Sequence, residues 1–331
     1  MPIEHVSRRR AIAILAATAG ALAATQTGYS EIAIDYEWSG LSMGADARIL
    51  FCGLDSRTAR ALTAMAVAEI DRLESALSLY REDSEICHLN RAQILRSPSG
   101  DLRRALALAL AIADSTAGLF DPTVQPLWEA HVDWFAVAPE AGLPPQSIIE
   151  AARAVVDWKK IVLAGDRIEL GPRQRITLNG LGQGYVTDRV ADLLRARGLQ
   201  HVLVDLGEQR ALGPRRDGAP WLIARTGDKP FKLVSGALAT SAGAGCILGA
   251  AGAAHHLFDP RTGRSAAHWR KLTVHHRSAA VADALSTACY AASADEIAPL
   301  LARIPGVAIV AVDGNGCERR WSFDEAEGIR I

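Results

Sequence analysis

ITLNGLGQGYVTDRVADLLRARG, residues 176–198, opens as an extended apolar run. It passes three glycines two residues apart (Gly180, Gly182, Gly184) and continues as an amphipathic helix that closes on Gly198. Glycine at Gly198 suits the residue just past a helix, where the backbone turns left-handed. The three earlier glycines permit positive φ and let backbone amides and carbonyls approach a ligand. The positive end of the helix, starting near Tyr185, points at that loop and favours a phosphate. No Lys-Ser/Thr follows the last glycine, and the spacing is not that of the dinucleotide fingerprint. Two readings stay open on these residues alone: a phosphate cradle, or a tight strand-to-helix turn with glycines for packing.

Working outward, ADARILFCGL, IVLAGDRIEL, RQRITLNG, QHVLVDLG, WLIART, KLTVHH and GVAIVAVDG read as strands. Leu62, Met65, Ala66, Ile70, Leu73 and Leu77 recur at helical spacing. DLRRALALALAIADSTAG is a second helix with Asp101 as its expected N-cap, and VADALSTACYAA is another. Strands and helices interleave too irregularly for a doubly wound sheet. The expectation is an α+β fold, mixed β-sheets with packed helices.

The 331 residues are 49% hydrophobic and 22% charged, enough for one large or two modest cores. A net charge of −1 gives no electrostatic reason to expect nucleic acid or an anionic membrane. Residues 1–27 carry Arg8, Arg9 and Arg10, then an apolar run from Ala11 to Ala24 that is short for a bilayer span. They read as a cleavable export signal, and Ser7-Arg8-Arg9 resembles the twin-arginine type. The expected mature domain is 28–331, in the periplasm. Cys52, Cys87, Cys246, Cys289 and Cys317 form no metal-spaced pair and read mostly as small core residues.

Three further clusters carry chemistry. HHLFDPRTGRS (255–265) gathers His255, His256, Asp259 and Arg261 around a Pro-Gly turn, either an active-site loop with a histidine acid/base or a self-capping polar turn. His275-His276 sits in a strand-like run and reads as structural. Asp283 and Thr287 stand four residues apart, one helix face, an oxygen pair of the kind that suits Mg²⁺ or a local hydrogen bond.

Taken together and in order, these pieces resemble the ApbE family, the FAD:protein FMN transferases. The likeness rests on MGA (43–45), LSLYREDSEICHLN (77–90), GLFDPTVQPL (118–127), LNGLGQGYVTDR (178–189), VDLGE (204–208), LATSAG (238–243), HHLFDPRTG (255–263) and ADALSTA (282–288). The resemblance implies an ApbE-like, T-fold-related architecture and transfer of the FMN half of FAD to a Ser or Thr hydroxyl of a target flavoprotein, with AMP released. It further implies Mg²⁺ held by Asp283, Thr287 and the Gly180 carbonyl, and FAD contacts from Met43, Tyr80, Leu119, Phe120, Asp121, Gln183, Thr240, Ser241 and Phe258. His256 is the implied base, with His255 as runner-up. Gln183 replaces a lysine common in relatives, with Arg189 or Arg261 as candidates to compensate, and an acidic residue often found near Thr177 is absent. Shortening at Gly207-Glu208, with the export signal, resembles the branch accompanying nitrous oxide reductase, whose target is a membrane-bound regulatory flavoprotein. FAD hydrolysis to FMN and AMP, or flavin carriage without turnover, are the alternative activities.

Overall fold

The computed structural model of the chain describes residues 34–225, 228–249 and 252–322, so the expected export segment lies outside the described residues. Its frame is one eight-stranded sheet: β1 (Tyr36–Ser42), β2 (Ala45–Phe51), β3 (Val202–Asp205), β4 (Gln209–Ala211), β5 (Gly236–Ser241), β6 (Lys271–His276), β7 (Ala308–Val312) and β8 (Glu318–Ser322). Sheet order follows chain order, and every neighbouring pair is antiparallel. The helices are insertions into this meander. Between β2 and β3 come α1 (Ser56–Leu77), α2 (Glu85–Ala92), α3 (Gly100–Ser115), α4 (Gln125–Val137), α5 (Gln146–Arg153) and α6 (Gly182–Arg195). Between β6 and β7 come α7 (Ala279–Tyr290) and α8 (Ala294–Leu301). The α+β class holds.

Alternation along β2 shows why the sheet is covered on both faces. Ala47, Ile49 and Phe51 enter the large core under the helices, whereas Leu50 joins a second core on the opposite face. That second face is roofed by a hairpin of Trp221–Arg225 and Asp228–Leu233, through Trp221, Ile223, Phe231 and Leu233. Leu62, Ala66, Ile70, Leu73 and Leu77 form the buried stripe of α1, and Asp55 caps its first amides.

Three expectations change. Asp101 is not the N-cap of α3: Ser99 is, accepting from the Leu102 amide. Asp101 instead lies buried in the first turn, where it accepts from Arg72 Nη1, Arg104 Nη2 and the Tyr185 hydroxyl, each at 2.7 Å. RQRITLNG joins no sheet: it begins at a turn with Arg173 at φ 60° and ends in the Asn179-Gly180 turn. Asn90 takes both backbone groups of Ile176 (2.8 and 2.7 Å), and the Thr177 amide donates to Pro122 O, so pinning replaces a ladder. Finally, α6 begins at Gly182, which places two of the three glycines inside its first turn. The five cysteines are all free, and only Cys52 and Cys289 are buried.

Asp101 ties α1, α3 and α6 together. Burial pushes its carboxyl up, but the hydrogen bonds from Tyr185, Arg104 and Arg72 outweigh that and hold it at about 2. Its contribution is therefore complete above the ordinary carboxylate range and is lost as the pH falls toward that value. Asp101→Asn is expected to lower stability by about 2 kcal/mol at pH 7. Urea midpoints of variant and parent should converge near the acid end, and a gap that does not change with pH contradicts this assignment.

Candidate active site

The site forms where the first turn of α6 crosses α7. A Cβ on Gly184 would fall 2.3 Å from Ala279 O and 2.6 Å from the Ala279 carbonyl carbon, so only glycine lets the two backbones meet. Each helix then places an acid on the other. Asp188 of α6 accepts from the Ala279 and Ala280 amides (2.8 and 3.1 Å) and from Ser278 Oγ (2.6 Å), closing the N-terminus of α7. Asp283 of α7 accepts from the Gly184 amide at 3.0 Å, closing the N-terminus of α6, where no side chain caps. Arg210 neutralises Asp188 at 2.6 Å.

The glycines of the loop are there for approach, not for left-handed backbone. None of Gly180, Gly182 and Gly184 uses the positive φ that glycine permits, which favours the packing reading of the loop. A Cβ on Gly180 would stand 3.1 Å from Thr287 Oγ1 and 3.2 Å from the Phe120 ring. One on Gly182 would stand 3.1 Å from Met43 Cε. Positive φ occurs instead at Met43 (50°) and Gly44 (81°), the two-residue turn between β1 and β2. The left-handed conformation costs Met43 about 1–2 kcal/mol. Glu74 of α1 offsets this by accepting from the Met43 amide at 2.6 Å. The Tyr80 ring lies over Gly44, and Asn179 donates to its hydroxyl at 3.4 Å.

Oxygen donors collect at the crossing. Asp283 is 5% exposed and has no cationic partner among the described residues. Thr287 Oγ1 makes no hydrogen bond to the described chain, while the neighbouring Ser286 Oγ donates to the Asp283 carbonyl (2.9 Å). Ser286 in turn pairs with Ser241 Oγ at 2.7 Å. Glu208, in the turn between β3 and β4, is a second buried acid that sequence reasoning did not single out. It accepts from the Thr240 amide at 3.2 Å. Burial pushes both carboxyls up, and for Glu208 the nearby Asp283 charge adds to it. Hard oxygens and unpaired negative charge are the donor set for Mg²⁺. Among the described residues no three His, Cys, Asp or Glu side chains converge as a metal cluster, so such a cation would rest on a carboxylate, a hydroxyl and a backbone carbonyl.

The two histidines separate clearly. His255 is filled: Nε2 donates to Ala266 O at 2.9 Å, Nδ1 accepts from the Leu257 amide, and the ring meets Tyr290 edge-on. Among the described residues the His256 ring hydrogen-bonds only through Nδ1, to Cys246 O at 3.2 Å, which leaves Nε2 as an acceptor without a bond to the described chain. Burial holds His256 down to about 4, so the ring is neutral near pH 7. Asp259 accepts from the Arg261 amide and guanidinium and so caps its own turn, the plainer of the two readings of that loop.

Not every expected residue reaches the crossing. Phe258 stacks on His131 (4.6 Å) in a separate small core with Leu127 and Phe135. Asp121 accepts from Thr123 and the Trp158 amide, turned into its own loop, although the neighbouring Phe120 does touch Gly180. Leu119 is buried beside it. Gln183 folds its amide against Gly207. Neither suggested substitute for a lysine there is free: Arg189 faces Glu69 and Asp101 at 3.8 Å, and Arg261 is held by Asp259, Glu296 and Ala291 O. His276 is buried and His275 lines its strand as a structural residue.

Residues 43–311 match the model of the ApbE family. The chain belongs to the ApbE family. An FAD:protein FMN transferase of Vibrio cholerae is 30% identical over 66% of this chain and 71% of its own length. One of Escherichia coli is 27% identical over 56% of this chain, which spans about half, 55%, of that relative. Among solved structures, the ApbE protein of Thermotoga maritima superposes with a TM-score of 0.75 at 24% identity, over 86% of this chain and 96% of that one, and supports the fold. The apo form of a Pseudomonas stutzeri flavinyl transferase ApbE gives 0.72 at 25% identity, over 88% and 97%. Family membership covers every element of the α6–α7 crossing.

Because the Gly184 contact is backbone on backbone, Gly184→Ala must push the helices apart. We expect a loss of about 1–3 kcal/mol or more in urea unfolding. Wild-type stability in that variant contradicts the close crossing.

Proposed function

We propose that this ApbE-family chain transfers FMN from FAD to a Ser or Thr hydroxyl of an acceptor flavoprotein. The observation that supports the reading is a buried Asp283 carboxyl with no cationic partner among the described residues, on the helix face where Thr287 meets Gly180; His256, in the loop between β5 and β6, keeps a ring Nε2 with no hydrogen bond to the described chain. The FMN transferase names of the V. cholerae and E. coli relatives point the same way.

In this reaction the acceptor oxygen attacks the phosphorus of the FMN half. A new P–O bond forms to the protein, the P–O bond of the pyrophosphate breaks, and AMP leaves. Mg²⁺, held by Asp283, Thr287 and the Gly180 carbonyl, would neutralise pyrophosphate charge. The remaining work belongs to side chains. His256 Nε2 accepts the hydroxyl proton, and its Nδ1 bond to Cys246 O fixes the tautomer. Met43, Phe120 and Tyr80 supply the apolar walls that orient the flavin half. Thr240 and Ser241 line the β5 side; the Thr240 amide donates to Glu208, and Ser241 braces α7 through Ser286.

The export signal at 1–27 suggests that the mature domain, 28–331, works in the periplasm. Ser7-Arg8-Arg9 and the short Gly207-Glu208 turn favour a membrane-bound regulatory flavoprotein of the nitrous oxide reductase system as acceptor.

Incubation of the full chain with FAD, Mg²⁺ and that acceptor domain should add one FMN by intact mass and release AMP, both blocked by EDTA. His256→Ala should bind FAD as the parent does while losing about 10²–10⁴-fold in transfer rate. Asp283→Ala should lose the Mg²⁺ response. AMP and free FMN without a modified acceptor would make the protein a hydrolase, and FAD binding with no turnover would make it a carrier.

A further inference from the structure

Four acids surround the crossing of α6 and α7, and they are not equivalent. Asp188 is paired with Arg210, and Asp205 with Arg48. Glu208 and Asp283 have no cation among the described residues, although they are only 7% and 5% exposed. Each accepts a single backbone amide through one oxygen, Glu208 Oε2 from Thr240 and Asp283 Oδ2 from Gly184. The other oxygen of each accepts nothing from the described chain.

The surrounding contacts hold the two carboxylates to one enclosure. Thr240 and Ser241 are consecutive on β5: the first bonds Glu208, and the second bonds Ser286, whose hydroxyl is on the Asp283 carbonyl. Thr187 of α6 donates to Glu208 O at 3.2 Å. Gln183, next to the Gly184 that bonds Asp283, lies against Gly207, next to Glu208. Gln183 is neutral, and neither buried carboxyl has a cationic partner among the described residues. Burial of unpaired like charge is costly, and a divalent cation removes the cost.

We infer that Glu208 is a positioning residue for the cation at Asp283: its charge, left uncompensated by Gln183, sets how tightly a divalent ion is held. This rests on the proposed metal role of Asp283. Glu208 need not touch the ion, because charge within a buried enclosure acts at a distance.

The inference predicts that one substitution separates affinity from stability. Glu208→Gln keeps the acceptor for the Thr240 amide and cannot ionise when a cation arrives. In the full chain, cation-free melting temperature should not fall, while Mn²⁺ affinity, read by electron paramagnetic resonance with FAD present, should fall at least tenfold. A residue that merely supports the fold would lower both. Gln183→Lys adds a positive charge beside the same turn and should also weaken Mn²⁺ at least tenfold. If Glu208→Gln does not fold, Gln183→Lys decides alone. Parent-like Mn²⁺ affinity in either folded variant, with affinity lost in Asp283→Ala, overturns the role of Glu208 and leaves the metal reading standing. Parent protein that binds no Mn²⁺ removes both.

Discussion

The reciprocal lock between α6 and α7 is the constraint on which the site depends. Two helices from distant parts of the chain each lend an acid to the other's N-terminal amides, Asp188 to Ala279 and Ala280, and Asp283 to Gly184. Uncapped helix ends leave several amides without partners, so each helix gains from the presence of the other. The arrangement requires backbone contact at Gly184, and it leaves one of the two acids, Asp283, with an oxygen to spare. Asp188 has an arginine, while Asp283 does not. The same lock therefore leaves one acid paired with an arginine and one without a cationic partner among the described residues.

Around this crossing the sheet supplies walls rather than reagents. The β1–β2 turn pushes Met43 against Gly182 in a conformation that Glu74 holds in place. The turn between β3 and β4 brings Glu208, and β5 brings Thr240 and Ser241. The loop between β5 and β6 carries His256, whose neighbour His255 is consumed in holding that loop to Ala266 and Tyr290. Adjacent histidines thus differ in which ring nitrogens the backbone uses: both in His255, only Nδ1 in His256.

Much of this was legible in the sequence, and the exceptions have physical causes. Periodicity located the long helices because their buried stripes are continuous, as in Leu62 to Leu77. RQRITLNG has strand chemistry, yet Asn90 satisfies its backbone from afar, and no local pattern reports that. Asp101 sits at a plausible cap position, but Ser99 competes for it and three donors from α1, α3 and α6 claim the carboxylate. Of the two readings of the glycine loop, the packing one describes its backbone: Gly184 meets α7, Gly182 meets Met43, and which partner each glycine admits is not written in the loop itself. Glu208 was hidden because an acid in a short turn is usually solvated, and only burial against Asp283 sets it apart. Phe258 shares its segment with His256, but the chain bends at His256 and Phe258 packs on His131.

The central claim is that the α6–α7 crossing is a cation-and-phosphate site. Its most direct test is a crystal of the full chain soaked with FAD and Mn²⁺ and measured at the manganese edge. The account predicts a single anomalous peak within bonding distance of an Asp283 oxygen, Thr287 Oγ1 and the Gly180 carbonyl, with the pyrophosphate beside it. FAD bound with no peak there, or a peak held by other residues, would contradict it.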